Sequence, residues 1–221
     1  MNISRFERKW FYDCMNIHSL LSGIYQSNFN FSEAFPLRQV NSIYFDDTEY
    51  SSIYQNLDGV TEKKKLRVRW YGDKKIIIDP VIEIKSKKGF IVKKKTIKID
   101  MIEALPLNLT SINKIKKMIS RKIRGTESLI PIITTHYERY YFISSNLGVR
   151  ATVDKNLSSL MLHKYCNYKI FKNFNYKVLE IKYGLDYDRY VRSKLTSINS
   201  RLSKSSKYVA FATNSGNHFS W

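Results

Sequence analysis

Apolar and polar side chains alternate along most of this chain. The period of two runs through "SRFERKWFY" (4–12), "VNSIYFDD" (40–47), "KKLRVRWYG" (64–72), "IIIDPVIEIKSK" (76–87), "FIVKKKTIKI" (90–99), "IPIITTHYERYYFIS" (130–144), "GVRATVDKN" (148–156) and "NYKVLEIKYG" (175–184). Successive side chains of a strand point to opposite faces, so these stretches predict β-strands with one apolar face each. Short turns such as "YGDKK", "SKKG" and "SSNLG" predict an antiparallel meander, and about eight such strands predict closure into a barrel. Helical spacing replaces alternation in three places. "DCMNIHSLLSGIY" (13–25) is weakly periodic. "TSINKIKKMISRKIRG" (110–125) repeats Ile112, Ile115, Ile119 and Ile123 behind a Thr110 or Ser111 cap, and "DYDRYVRSKLTSINSRL" (186–202) repeats Val191, Leu195, Ile198 and Leu202 behind Asp186. The expected class is α+β: an antiparallel β-barrel of about eight strands with a few flanking helices. No linker interrupts residues 1–221, which predicts one domain.

The polar faces are unusually charged. Arg67 and Arg69 oppose Leu66, Val68 and Trp70; Glu83, Lys85 and Lys87 oppose Ile82 and Ile84; Glu180 and Lys182 oppose Leu179, Ile181 and Tyr183. Arg150, Thr152 and Asp154 share a face, as do Arg5, Glu7 and Lys9, and as do Tyr137, Arg139 and Tyr141. An ordinary sheet turns its polar side to water, and for any one strand that is the simpler account. Recurrence on five or more strands favours another. With helices covering the apolar side of a barrel, the charged side becomes a lumen, and converging cations there need an anion. Arginine offers two-point contacts to phosphate oxygens and lysine a compact charge, so a chain of phosphates fits. The isolated glutamates would repel it unless they hold a divalent metal or act as a base.

Composition sharpens this. Lys+Arg number 38 against 19 Asp+Glu, a formal charge of +19, which implies an anionic partner. Cys14 and Cys166 are too few for a disulfide scaffold or a thiolate zinc site, and His18, His136, His163 and His218 show no metal-ligand spacing. The N-terminus lacks a secretory apolar run and no stretch is long enough to span a membrane, so a soluble cytoplasmic protein is expected.

In order along the chain, "RFERKW", "VNSIYFDD", "KLRVRWYG", "VIEIKSK", "PIITTHYERYYF", "RATVDKNL", "VLEIKY" and "SSKY" resemble the VTC (vacuolar transporter chaperone) domain, of the triphosphate tunnel metalloenzymes or CYTH-like superfamily. The resemblance implies an antiparallel tunnel binding ATP, triphosphate or inorganic polyphosphate with Mn²⁺ or Mg²⁺. It implies a polyphosphate polymerase that moves the γ-phosphoryl of ATP to a growing chain, with inorganic triphosphatase and a non-catalytic polyphosphate-binding module as alternatives. Carried over by motif, Lys9, Arg67, Arg69, Lys85, Arg139, Arg150, Lys182, Ser206 and Lys207 would bind phosphate. Glu180 would hold the metal, helped by Glu7 and Glu83. Arg67, Arg69, Lys85, Glu180 and Lys207 would serve catalysis. A basic pair on the strand after "EIK" would be Lys93 and Lys95, although parity puts Lys94, Thr96 and Lys98 on the polar face; a bulge would reconcile the two. No sensor domain is expected before "RFERKW" and no membrane segment after "SSKY", which leaves room for a membrane-bound partner.

The main rival is a basic barrel that binds single-stranded nucleic acid, which would explain the charge and the 16 tyrosines. It does not explain glutamates at the centre of basic faces, so no nucleic-acid partner is expected. Tyr44 and Tyr137 read as core aromatics, the helix "KIKKMISRKIR" as a solvated face, and Asp154 as an acceptor that holds a neighbouring arginine.

Overall fold

Each alternating stretch falls on a strand in the computed structural model, which describes residues 5–13, 15–88, 91–101, 103–145, 148–162, 170–194 and 207–215. The elements are β1 (Arg5–Asp13), α1 (Ile17–Tyr25), β2 (Phe31–Asp46), α2 (Ser51–Leu57), β3 (Glu62–Tyr71), β4 (Ile76–Ile77), β5 (Val81–Lys88), β6 (Ile91–Lys98), β7 (Leu105–Pro106), α3 (Leu109–Lys122), β8 (Ile130–Ser144), β9 (Arg150–Met161), β10 (Ile170–Phe174), β11 (Tyr176–Gly184), a 3₁₀ turn (Leu185–Tyr187), α4 (Asp188–Lys194) and α5 (Lys207–Ser215). Three boundaries differ from expectation. The stretch 76–87 breaks into β4 and β5 because Asp79 takes a left-handed φ of 44° and Pro80 has no N–H for a ladder. β2 begins nine residues earlier than its alternation, through a segment whose Pro36 obscures the strand signal. The helix expected over 186–202 begins as the 3₁₀ turn and α4, and its residues 195–202 lie outside the described set.

The strand order is β1-β11-β9-β8-β2-β3-β5-β6, with β10 beside β9, and β4 pairs β7 separately. The ladders β1–β11, β11–β9, β2–β3, β3–β5, β5–β6 and β4–β7 are all antiparallel. Among the described residues this order is an open path; hydrogen bonds do not close it into the expected barrel.

The chain divides into two compact units, one of residues 1–38, 137–157 and 173–205, the other of 39–136, 158–172 and 206–221. The first builds its core from Trp10, Leu20, Ile24, Phe142, Val153, Leu179 and Val191, so α1 and α4 cover the apolar side of β1, β11 and β9. The second packs Ile112, Ile115 and Ile119 of α3 against Ile43, Leu66, Val68, Trp70 and Ile82. Asn108 caps α3, its side chain accepting from the Ser111 N–H at 2.9 Å, two residues before Thr110 and three before Ser111, the expected caps. In both units these three helices, α1, α4 and α3, take the greasy side of the strands. No helix among the described residues is long and apolar enough to cross a membrane.

Candidate functional site

In the first unit, pairing places Glu7, Lys182 and Arg150 in one row across β1, β11 and β9, and Lys9, Glu180 and Thr152 in the next. Residues paired across a ladder share a face, so these six stand on one surface, opposite Trp10, Leu179 and Val153. On that surface Glu7 and Arg150 are exposed, Lys9, Thr152 and Lys182 are half-buried, and Glu180 is withdrawn from water. Glu180 is only 7% exposed. Its carboxylate meets Lys9 Nζ at 3.4 Å and also pairs with Lys182, while Lys9 reaches Glu7 at 2.6 Å. Burial alone would lower the Lys9 pKa, but the charges of Glu180 and Glu7 outweigh it and hold the ammonium above the usual lysine range. Thr152 Oγ1, beside Glu180, is buried with no hydrogen-bond partner. On β8, Arg139 grips Asp154 of β9 with two bonds, Nε–Oδ1 at 2.5 Å and Nη2–Oδ2 at 2.8 Å, and lies 5.1 Å from the centre of the Tyr137 ring.

The second unit repeats the pattern across β2, β3, β5 and β6. Tyr44, Arg67, Glu83 and Thr96 form one row, flanked by Ser42, Arg69, Val81 and Lys98 on one side and Lys65, Lys85 and Lys94 on the other. Glu83, 5% exposed, is the hub. Arg67 binds its Oε2 through Nε at 2.8 Å and Nη2 at 2.7 Å, while Lys94 at 2.7 Å and Arg69 at 3.3 Å approach Oε1. Burial would raise the Glu83 pKa; Arg67 and Lys94 overcome it and hold the carboxyl below its ordinary value. Arg69 Nε and its row neighbour Ser42 Oγ are both buried without partners. Such atoms cost about 1–3 kcal/mol each when unsatisfied, and ligand oxygens would relieve them.

A second line of contacts fixes Arg67 from behind. Its Nη1 donates to Tyr44 Oη at 2.9 Å, and the Tyr44 ring stacks on Tyr208 of α5 at 4.7 Å and 9°. Tyr208 Oη donates to buried Asp46 at 2.8 Å, and Asp46 also accepts the N–H groups of Asp47 and Ser52, each at 3.0 Å. The docking of α5, and hence the position of half-buried Lys207 at its start, is thus tied to the arginine face. Tyr208→Phe is expected to destabilise the protein by about 1–2 kcal/mol through the lost hydrogen bond. Tyr208→Ala should cost about 3–5 kcal/mol by emptying a buried aromatic site. Denaturant titration of the pair checks this; equal effects would mean that the ring stack contributes nothing.

Residues 25–213 match the family model of the VTC domain. The chain belongs to the VTC domain family. Comparison with curated proteins gives no match. Among solved structures, the VTC domain is similar to a conserved hypothetical protein from Pyrococcus furiosus, with 12% identity over 94% of this chain and 99% of that one and a TM-score of 0.53. It is also similar to a candidate adenylate cyclase from Bacillus halodurans, with 12% identity over 95% and 99% of the two chains and a TM-score of 0.52. At such identities the likeness is one of fold.

The VTC domain brings most of the expected residues into these two groups: Lys9, Glu180, Lys182, Glu7 and Arg150 with Arg139 in one unit, and Arg67, Arg69, Glu83 and Lys85 in the other. Glu7 and Lys9 precede the family match. Ser206 lies outside the described residues. Lys93 and Lys95 stand on the face away from Glu83, since Lys95 pairs with Ile84 and the β5–β6 register runs unbroken from Val81↔Lys98 to Lys88↔Ile91, with no bulge. Lys94 takes the place beside Glu83, as the parity of the strand indicates. Asp46 shares the parity of Ser42 and Tyr44 and Tyr208 carries no strong periodic signal, and only the packing of α5 shows their part.

The carboxylates differ in degree: Glu180 has both oxygens engaged by two lysines, whereas Glu83 has both engaged by two arginines and a lysine, which suits Glu83 to holding cations in place better than to binding a metal. Among the described residues no three Asp, Glu, His or Cys side chains come together. Glu180 and Glu7, joined through Lys9, are the pair compatible with a magnesium-like ion, which needs one or two carboxylates when substrate phosphates supply further oxygens.

Proposed function

We propose that this VTC domain is a polyphosphate polymerase: ATP and a phosphate chain give ADP and a chain longer by one phosphate. The observation that carries the reading is a set of charged side chains withdrawn from water on the sheet faces, while Glu7, Lys85, Lys94 and Arg150 on the same faces stay exposed. Arg69, Glu83, Arg139, Asp154 and Glu180 are each no more than 9% exposed, on the side of the strands away from the cores, with Arg69 Nε, Ser42 Oγ and Thr152 Oγ1 unsatisfied beside them. A face built for solubility stays wet and satisfies its polar atoms with water. Withdrawn cations with spare donors suit a multiply charged guest, as expected of a phosphate-binding tunnel.

In one unit Arg67, Arg69, Lys85 and Lys207 bind phosphate oxygens and stabilise their charge, and in the other Lys9, Lys182, Arg139 and Arg150 bind phosphate oxygens. Glu83 is a positioning residue that fans out Arg67, Arg69 and Lys94. Glu180, with Glu7, would hold Mn²⁺ or Mg²⁺, leaving Lys9 to the phosphates. What such an ion supplies is neutralisation of phosphate charge. A terminal oxygen of the acceptor chain bonds to the γ-phosphorus as the bond from that phosphorus to the bridging oxygen breaks, and ADP leaves with the electron pair. The attacking oxygen is already ionised near neutral pH, so no protein base has to take a proton.

Incubation of the protein with ATP and Mn²⁺, followed by assay of long-chain polyphosphate, ADP and free phosphate, tests this. Chain growth is expected. Free phosphate in place of chain would make the protein a triphosphatase, in which water replaces the acceptor. Triphosphate binding without turnover would leave a binding module. Tight, steeply salt-dependent binding of single-stranded DNA without turnover would favour the nucleic-acid reading, against which the buried Glu83 and Glu180 argue.

A further inference from the structure

Helix α3 presents two chemically opposite sides. Ile112, Ile115 and Ile119 are buried in the second core, at 2% exposure or less. On the outer side Asn113, Lys116, Lys117, Ser120 and Arg121 line an open groove together with Glu127, from the segment that follows the helix. Their spacing of three and four residues makes one continuous stripe. Because the helix packs on the apolar side of β3 and β5, this stripe lies across the core from Arg67 and Glu83.

The stripe works against its own helix. Residues 109–122 contain no Asp or Glu, so Lys117 and Arg121 repel at i, i+4, and Lys114 and Lys117 at i, i+3, with no acidic partner on the helix. Among the described residues α3 pairs Lys122 with Asp100 at 3.1 Å, and Glu127 lines the groove beside Lys116, Lys117 and Arg121, so the stripe keeps an excess of positive charge. A helix face made only for solubility would interleave glutamates with these lysines.

The lining chemistry selects the partner. Among the described residues no aromatic side chain borders the groove, so nucleic-acid bases would find nothing there to stack on. The helix has already buried its apolar side, and exposed Leu109 at its start offers a bilayer little to hold. What remains is one guanidinium fork, two ammonium groups and the neutral polar side chains of Asn113 and Ser120, spaced over about 12 Å of helix. That set matches a polymer whose every unit presents anionic oxygens.

We propose that this stripe is a second binding surface for a linear inorganic phosphate chain, separate from the charged sheet faces. Its choice of polymer rests on the polymerase reading above. A chain engaged there and at the sheet face gains affinity by linkage, whereas triphosphate is too short to use both.

The test measures, for the whole protein, affinity for tripolyphosphate and for chains of about 100 phosphates. The variant Lys116→Gln/Lys117→Gln/Arg121→Gln should lose about tenfold in long-chain affinity and about two from the slope of log affinity against log salt, with tripolyphosphate affinity unchanged. Glu127→Gln, which removes the one carboxylate in the groove, should strengthen long-chain binding. Unchanged long-chain affinity in both variants overturns the proposal, as does a wild type that binds the two probes equally well. So does a stripe-dependent preference for phosphatidylserine vesicles or oligothymidine over polyphosphate, since that assigns the surface to another partner. Failure of the polymerase reading looks different: no turnover and no tripolyphosphate binding, with stripe-dependent capture of long chains intact.

Discussion

Glu180→Gln is expected to abolish turnover, by at least about 100-fold, while the protein still binds tripolyphosphate. The substitution keeps the shape of a side chain that is 7% exposed and removes only its charge. Two effects follow with opposite sign. The proposed metal loses its main anionic ligand, so the reacting phosphates are no longer neutralised and the rate falls. Lys182, now without its paired carboxylate, and Lys9, with one carboxylate fewer, present more positive charge to a phosphate chain, so affinity holds or rises. Lys9 keeps Glu7 at 2.6 Å, which moderates the change and preserves the local packing. Titration calorimetry with tripolyphosphate beside a turnover assay in Mn²⁺ separates the two effects. A variant with the wild-type rate removes Glu180 from the chemistry. A variant that loses rate and binding together makes it a structural residue.

The same contacts show what could be read before any fold was known. Period-two alternation is local and survives in almost any sheet, so Arg67 with Arg69, Glu180 with Lys182, and Arg150 with Thr152 could be assigned to shared faces from spacing alone. Parity even favoured Lys94 over Lys93 and Lys95, and the unbroken β5–β6 register agrees with parity. Non-local facts were out of reach. The Tyr208–Tyr44–Arg67 line joins residues more than 140 positions apart through a C-terminal helix with no strong periodicity. The role of Glu83 depends on which cations surround it. A glutamate among lysines reads equally well as a metal ligand, and only the three contacts to Arg67, Arg69 and Lys94 make it a clamp. Closure failed as an expectation for a related reason: strand count predicts a barrel only if the first and last strands pair, and no local pattern encodes that pairing.

Asp154→Ala should produce the largest loss of stability among single changes on the charged faces, about 3–5 kcal/mol. Asp154 is wholly buried and Arg139 nearly so, and the two share a two-point bond. Burial would lower the arginine's pKa, but the Asp154 charge outweighs it, with smaller help from Glu180, and the guanidinium stays firmly ionised. It therefore cannot escape the loss of its partner by neutralising. The row containing Asp154 continues as Val178 and Phe11, so no second carboxylate stands in line to replace it. For a chain of this size the melting temperature should fall by roughly 10 °C. Asp154→Asn keeps the shape and one acceptor and should fall between wild type and alanine. Removing both charges, as Arg139→Met/Asp154→Leu, should recover most of the stability, because the penalty belongs to the stranded cation more than to the lost bond. That double variant then isolates function from folding. If Arg139 serves the phosphate path, a stable protein without it binds tripolyphosphate more weakly. If affinity is untouched, the Arg139–Asp154 pair is architecture alone. An alanine variant within about 1 kcal/mol of wild type would mean that water reaches the guanidinium after all, and that this part of the charged face is not withdrawn from solvent.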